Sequence, residues 1–168
     1  MTAEPAYDAL LDALLDSWDR NNTILVNLVR ALPAGSLDLC VTADSMSIHT
    51  MLIHMHYCRL VFVEEDVPEC AVPMRKAEWK LVREPDAIIA LLDESARVLR
   101  EAVRSRIASG RPMDRHYDHP LLMLQHFIWH EGYHHGQVKL ALKAAGMAFD
   151  DEAIGQVTWD VWMDKGPA

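Results

Sequence analysis

The sequence predicts an all-α protein folded as a four-helix bundle. Four long segments place apolar residues at helical spacing, and no stretch shows the two-residue alternation of a strand. With no sheet to pack on, such segments must bury their apolar stripes against one another. Residues 1–168 read as one domain, long enough to bury a core without disulfides or a structural metal.

The first helix is expected over residues 6–31, where Leu10, Leu11, Leu14, Trp18, Leu25, Leu28 and Val29 recur on one side before Pro33 and Gly35 stop it. A second runs from Ser45 to Glu65, with Asp44 or Ser45 as cap and Ile48, Met51, Leu52, Met55 and Val63 as its stripe. Pro68 and Pro73 open a longer connection in which residues 75–82 could form a short helix. The third helix starts at Pro85, a residue favoured in a first turn, and ends before Gly110 and Pro112. The fourth extends from Pro120 to Ala145, with Gly146 as its stop. Residues 150–156 add a short helical turn, and the tail carries Trp159 and Trp162, expected to serve as a lid or in dimer packing. The connections between helices one and two and between three and four read as short. The longer link between two and three leaves those two free to run parallel.

Composition narrows the function. The net charge of −9 argues against nucleic acid, whose phosphates require clustered Lys and Arg. Arg97, Arg100, Arg104 and Arg106 are the densest basic group and read as one solvated helix face. Cys40, Cys58 and Cys70 form an odd set without C-x-x-C spacing, as suits free thiols in a reducing compartment. Asp8, Asp12, Asp16 and Asp19 interrupt the N-terminal segment, so a signal peptide is not expected, and no apolar run reaches the ~18 residues of a membrane span. The expected location is the cytoplasm.

The nine histidines are unevenly spread. His49, His54 and His56 fall on the second helix, and His126, His130, His134 and His135 on the fourth. His126, His130 and His134 recur every four residues, which stacks them on one face with Cβ atoms about 5–6 Å apart. That face continues through Met123, Phe127, Gln137 and Ala141, so it should look inward while staying polar at its centre. An inward polar row needs a network, water or a metal, because each unpartnered group costs about 1–3 kcal/mol. A single inward histidine is commonly a hydrogen-bonded core residue. A pair at i,i+4 with further histidines on another helix points instead to a metal site. No cysteine has ligand spacing to a histidine, although Cys58 lies one turn from His54 and could line the pocket. Three histidines with open positions are the pattern of a reactive metal rather than a closed structural one.

Residues 130–134 also read His-Glu-Gly-Tyr-His, a literal HExxH. A zinc protease would use His130 and His134 as ligands and Glu131 as general base, with Glu152 as a third ligand. Three points weaken this reading. There is no sheet edge to grip a peptide, Gly132 inside the motif costs about 1 kcal/mol of helix propensity, and histidine is abundant enough to produce the pattern by chance.

The stretch HFIWHEGYHHGQVKLALKAAG, residues 126–146, resembles the last helix of the DinB/YfiT-like proteins with their H-x3-H-x-GQ signature. SIHTMLIHMHYCRLVF, residues 47–62, is similar to that family's second-helix motif, and NNTILVNLVRALPAG, residues 21–35, and the tryptophan-bearing tail extend the likeness. Residues 67–82 match nothing distinctive. The resemblance implies a four-helix bundle with a long second-to-third crossover, often a homodimer, holding a divalent ion on three histidines. Carried over by position, those ligands are His54, His130 and His134, and zinc or nickel is the expected metal. His126 becomes a pocket neighbour, Asn22 a polar residue facing the cavity, and His135 should face outward. Glu131 and Gln137 would orient ligands from behind.

Family members with known activity are thiol-S-transferases using a low-molecular-weight thiol such as bacillithiol or mycothiol, or a related isomerase. The resemblance therefore implies an enzyme acting on a small-molecule substrate, with a metal-dependent hydrolase as the alternative. A non-catalytic helical dimerisation or metal-binding module is the rival from another class.

Overall fold

A computed structural model describes residues 4–163, with side chains from residue 7, as six α-helices and, among the described residues, no strand. They are α1 (Glu4–Ala31), α2 (Ile48–Asp66), α3 (Lys76–Trp79), α4 (Pro85–Ser109), α5 (Pro120–Ala144) and α6 (Asp151–Val157). The third and fourth long helices expected from the sequence are α4 and α5. None of the helices is long and apolar enough to cross a membrane.

Local chemistry sets the boundaries. The cap of α2 is Ser47, whose hydroxyl accepts from the Thr50 amide at 3.2 Å. It is not Asp44 or Ser45, because Ser45 is spent on a preceding turn, its hydroxyl 2.7 Å from that of Thr42. Pro85 opens α4 and Gly110, at φ 63°, ends it. Gly146, at φ 72°, lets the chain turn after α5 so that the Met147 amide reaches the Leu142 carbonyl at 2.9 Å. The connection over residues 32–47 is nearly as long as that over 67–84, so the expected contrast in loop length between them does not hold. Both are shaped by short 3-10 turns, at Ser36–Asp38 and Pro68–Cys70.

Cross-helix contacts fix the directions. The bonds His49–Val82, His56–Leu91 and Arg59–Leu92 rise in step along both chains, so α2 and α4 run parallel. Trp18 bonds Ala96 whereas Asn22 bonds Asp93, which sets α1 antiparallel to α4. Phe62 meets Phe127 while His54 meets His134, which sets α2 antiparallel to α5.

The core has two apolar halves. Trp18, Leu60, Val63, Leu99, Met123 and Phe127 belong to one, and Leu25, Leu28, Met51, Met55, Leu92 and Leu142 to the other. Between them lies a buried polar belt of Asn21, Asn22, Arg59, Ser95 and Glu131, drawn from all four long helices. Arg59 and Glu131 are both fully buried and form a two-pronged ion pair, Nε to Oε1 at 2.5 Å and an amino nitrogen to Oε2 at 2.8 Å. The other amino nitrogen of Arg59 donates to Asn22 at 2.9 Å and to the Leu92 carbonyl at 2.7 Å, and its guanidinium lies 4.8 Å from the centre of the Trp18 ring.

Outside the belt, Arg106 departs from the solvated face expected for it. It is buried and pairs with Glu69 and Asp114, both at 2.9 Å, so it pins the two connections flanking α4. Trp159 packs on Gly155, where a Cβ would come within 2.6 Å of the indole, and Lys139 of α5 covers the ring.

Breaking the central pair should cost more than replacing it. Arg59→Ala strands the Glu131 carboxylate and is expected to lower unfolding free energy by about 3–5 kcal/mol in a urea titration. Arg59→Met combined with Glu131→Leu, which restores an apolar fit, should cost much less. A double variant less stable than the single one would contradict this account.

Candidate metal centre

The belt opens on one side into a cluster of imidazoles. His54 comes from α2, and His130 and His134 are successive turns of α5. Their ring centres lie 5.3 Å apart for His54–His130, 5.0 Å for His54–His134 and 4.6 Å for His130–His134. The Nε2 atoms of His130 and His134 are 3.2 Å from each other. Cys58 joins from α2, its Sγ 3.5 Å from Nε2 and 3.6 Å from Nδ1 of His54. One ligand atom each from His54, Cys58 and His130 lies within 4.8 Å of the other two.

Hydrogen bonding prepares His134. Gln137 donates its amide to the Tyr133 hydroxyl at 2.9 Å, which turns its carbonyl oxygen to accept from His134 Nδ1 at 2.7 Å. The neutral His134 ring then carries its lone pair on Nε2, the atom facing His130. His130 Nδ1 is buried without a partner among the described residues. Burial lowers the pKa of all three imidazoles, that of His130 to about 4 with the neighbouring histidines adding to the effect. They are neutral at pH 7, the form that binds metal. Burial, and then the Glu131 charge, push the Cys58 thiol up to about 11. Three neutral imidazoles beside a thiol make a donor set that fits a borderline divalent ion such as zinc or nickel.

Glu131 is not placed as the HExxH pattern would require. Both of its oxygens are held by Arg59, and Asn21 adds a third bond at 2.5 Å. A carboxylate so committed cannot act as general base, and no bond runs from it to an imidazole, so it does not orient the ligands directly either. Asn22 likewise bonds Arg59 and Asp93 inside the belt rather than facing the cavity. His126 does adjoin the cluster, its ring centre 6.0 Å from that of His130 and its Nδ1 2.7 Å from the Tyr117 hydroxyl. His135, expected to face outward, is half-buried with its Nε2 enclosed and without a partner among the described residues. His49 and His56 bond backbone carbonyls, of Val82 and Leu91, and stand apart from the cluster.

A cleft of about 550 Å³ reaches the cluster at His54. Ile53, Tyr57 and Trp79 give it an apolar floor, and Lys76, Lys80 and Arg83 stand at its rim. Sequence reading missed the cleft because Lys76, Trp79, Lys80 and Arg83 of its wall come from α3 and the adjoining connection, which carry no distinctive pattern. Trp159 and Trp162 are not among its lining residues.

The buried histidines make the metal-free protein acid-sensitive. His56 and His130 have folded-state pKa values of about 4 against 6.5 for the free side chain. Between those values the unfolded chain binds more protons than the folded one, so stability falls as pH drops. The urea midpoint of metal-free protein should decline from pH 6.5 towards pH 4, and a level profile across that window would refute the assignment.

No curated protein and no solved structure matches the chain. A family model described as the DinB family matches residues 6–151, which spans all of the cluster, the belt and the four long helices from residue 6 onward. The chain therefore belongs to the DinB family.

Proposed function

We propose that this protein is a metal-dependent enzyme in which His54, His130 and His134 hold one divalent ion, zinc or nickel, and that it transfers a low-molecular-weight thiol to a small electrophilic substrate. In this reading the four long helices form the family's bundle, with residues 67–84 as the crossover between the parallel α2 and α4. The observation that carries the proposal is the mutual approach of three neutral imidazoles, ring centres 4.6–5.3 Å apart, at the end of an open cleft.

A divalent ion with an open position supplies Lewis acidity, lowering the pKa of a bound thiol or water towards neutrality. The chain's own residues do the rest. Gln137 holds His134 in the tautomer that presents Nε2. The apolar floor of Ile53, Tyr57 and Trp79 gives the thiol's carbon chain a surface to pack on, and the cationic rim of Lys76, Lys80 and Arg83 suits a thiol bearing carboxylates. Thiol transfer is favoured over hydrolysis by the state of Glu131. A hydrolase of the HExxH type would use this carboxylate, the one acid of α5, as its base, and it is consumed by Arg59.

Purified protein should contain near-stoichiometric divalent metal and form thiol adducts with a reporter electrophile such as monochlorobimane. His130→Ala should abolish both, and Gln137→Ala should weaken metal affinity by roughly 10–100-fold, the usual cost of losing a partner behind a ligand. Ester or amide cleavage independent of added thiol would replace this reading with the hydrolase. Absence of bound metal, with no effect of His130→Ala, would leave a non-catalytic module.

The same proposal includes a homodimer. Leu122, Trp129, Tyr133 and Leu140 lie exposed along one side of α5, with Trp129 73% exposed and stacked on Tyr133. A large apolar strip of this kind is the usual mark of an interface. Sedimentation should give twice the chain mass, and Trp129→Glu should halve it; a monomeric wild type removes this part.

A further inference from the structure

The donors of this centre come in two matched pairs. Cys58 follows His54 by four residues on α2, as His134 follows His130 by four on α5. Each pair therefore stands on one helix face, and the two helices run antiparallel with these faces opposed. A tetrahedral ion with bonds of about 2.0 Å to nitrogen and about 2.3 Å to sulfur sets its donors ~3.3 Å apart for two nitrogens and ~3.5 Å apart for sulfur and nitrogen. The observed separations are 3.2 Å between the Nε2 atoms of His130 and His134 and 3.5 Å from Cys58 Sγ to His54 Nε2. Both pairs already sit at the spacing of adjacent corners. Ligand atoms of His54, Cys58 and His130 all lie within 4.8 Å of one another, and His134 adjoins this group through its 3.2 Å approach to His130.

We propose that Cys58 is the fourth donor, so that the resting centre binds its ion through three imidazoles and one thiolate. The inference rests on the metal reading above and adds a ligand that the three-histidine set lacks. On binding, the Cys58 thiol releases its proton to solvent, its sulfur bonds the ion, and one water leaves the ion's shell. The position that a substrate thiol needs is thus held in advance by a protein sulfur. An incoming thiol must displace Cys58 or enter as a fifth ligand. Cys40 and Cys70 join no such group among the described residues and serve as internal controls.

Cobalt(II) added to the metal-free full chain tests this by absorbance. Wild type should show the visible bands of a tetrahedral ion together with a near-ultraviolet sulfur-to-cobalt charge-transfer band. Cys58→Ser should lose the ultraviolet band, keep visible bands and bind cobalt at least about tenfold more weakly, beyond the low end of what outer partners contribute. Cys40→Ser should match wild type. One bound cobalt without the ultraviolet band, or a band that survives Cys58→Ser, overturns the proposal and leaves the three-histidine reading intact. If wild type binds neither cobalt nor zinc, the metal reading falls with it. Should Cys58→Ser fail to fold, zinc protection of the wild-type thiol decides. Iodoacetamide labelling of Cys58, read by mass spectrometry, should slow at least about tenfold with zinc, and equal labelling overturns the proposal.

Discussion

The ion pair between Arg59 and Glu131 is the constraint on which the rest of this protein turns. Removing two charges from water costs several kcal/mol for each ion, and their attraction offsets this only when the remaining donors and acceptors are also satisfied. Here they are. Arg59 is shared among Glu131, Asn22, Leu92 and Ser95, and Glu131 takes a further bond from Asn21. Every partner sits on a different long helix from Arg59, so the belt can close only when α1, α2, α4 and α5 are all in register. The two apolar halves on either side are non-directional and would tolerate sliding. The polar belt would not.

The same pair aims the imidazoles. On an α-helix, consecutive residues are about 100° apart. Glu131, drawn inward to Arg59, places His130 immediately to one side, and His134 three residues on returns to nearly the same side. On α2, Arg59 does the same for Cys58, with His54 one turn earlier. Each helix thus carries a buried charge adjoining its pair of donors, and joining the charges fixes the rotation of both helices about their axes. A site assembled from two rods needs such a device, since rotation of either by half a residue's angle would separate the donors. The short Gln137–His134 bond then sets the last degree of freedom, the ring tautomer.

Much of this was legible in the residues. The long helices, their proline starts and glycine stops, and the inward row on α5 follow from periodicity, and the family resemblance singled out His54 among three histidines on α2. What could not be read was the partner of each buried charge. Arg59 lies in an otherwise apolar run, yet its carboxylate is 72 positions away, beyond any local pattern. Without that partner, Glu131 reads as the acid of HExxH. Arg106 was grouped with Arg97, Arg100 and Arg104 by proximity in sequence alone; two residues past Arg104 it stands on the opposite side of α4, and its partners lie in two separate connections. The α2 cap was ambiguous because Asp44, Ser45 and Ser47 all offer a capping oxygen, and only the turn that occupies Ser45 decides among them. The cleft depended on residues 67–84, where sequence pattern is weakest.

Charge balance links the belt to the chemistry. Because Arg59 and Glu131 cancel, the imidazoles look onto a region of nearly zero net charge despite the acidity of the whole chain. Three neutral histidines add none, so a divalent ion there would keep its full positive charge in a partly buried setting. An anionic fourth ligand relieves that charge, and a thiolate does so with a soft donor suited to zinc. Had Glu131 been free, its carboxylate would have supplied the neutralisation itself and reduced the preference for an anionic ligand. Sequestering the acid of a HExxH pattern therefore does more than remove a general base. In the proposed centre it would also favour an anionic sulfur ligand on the ion.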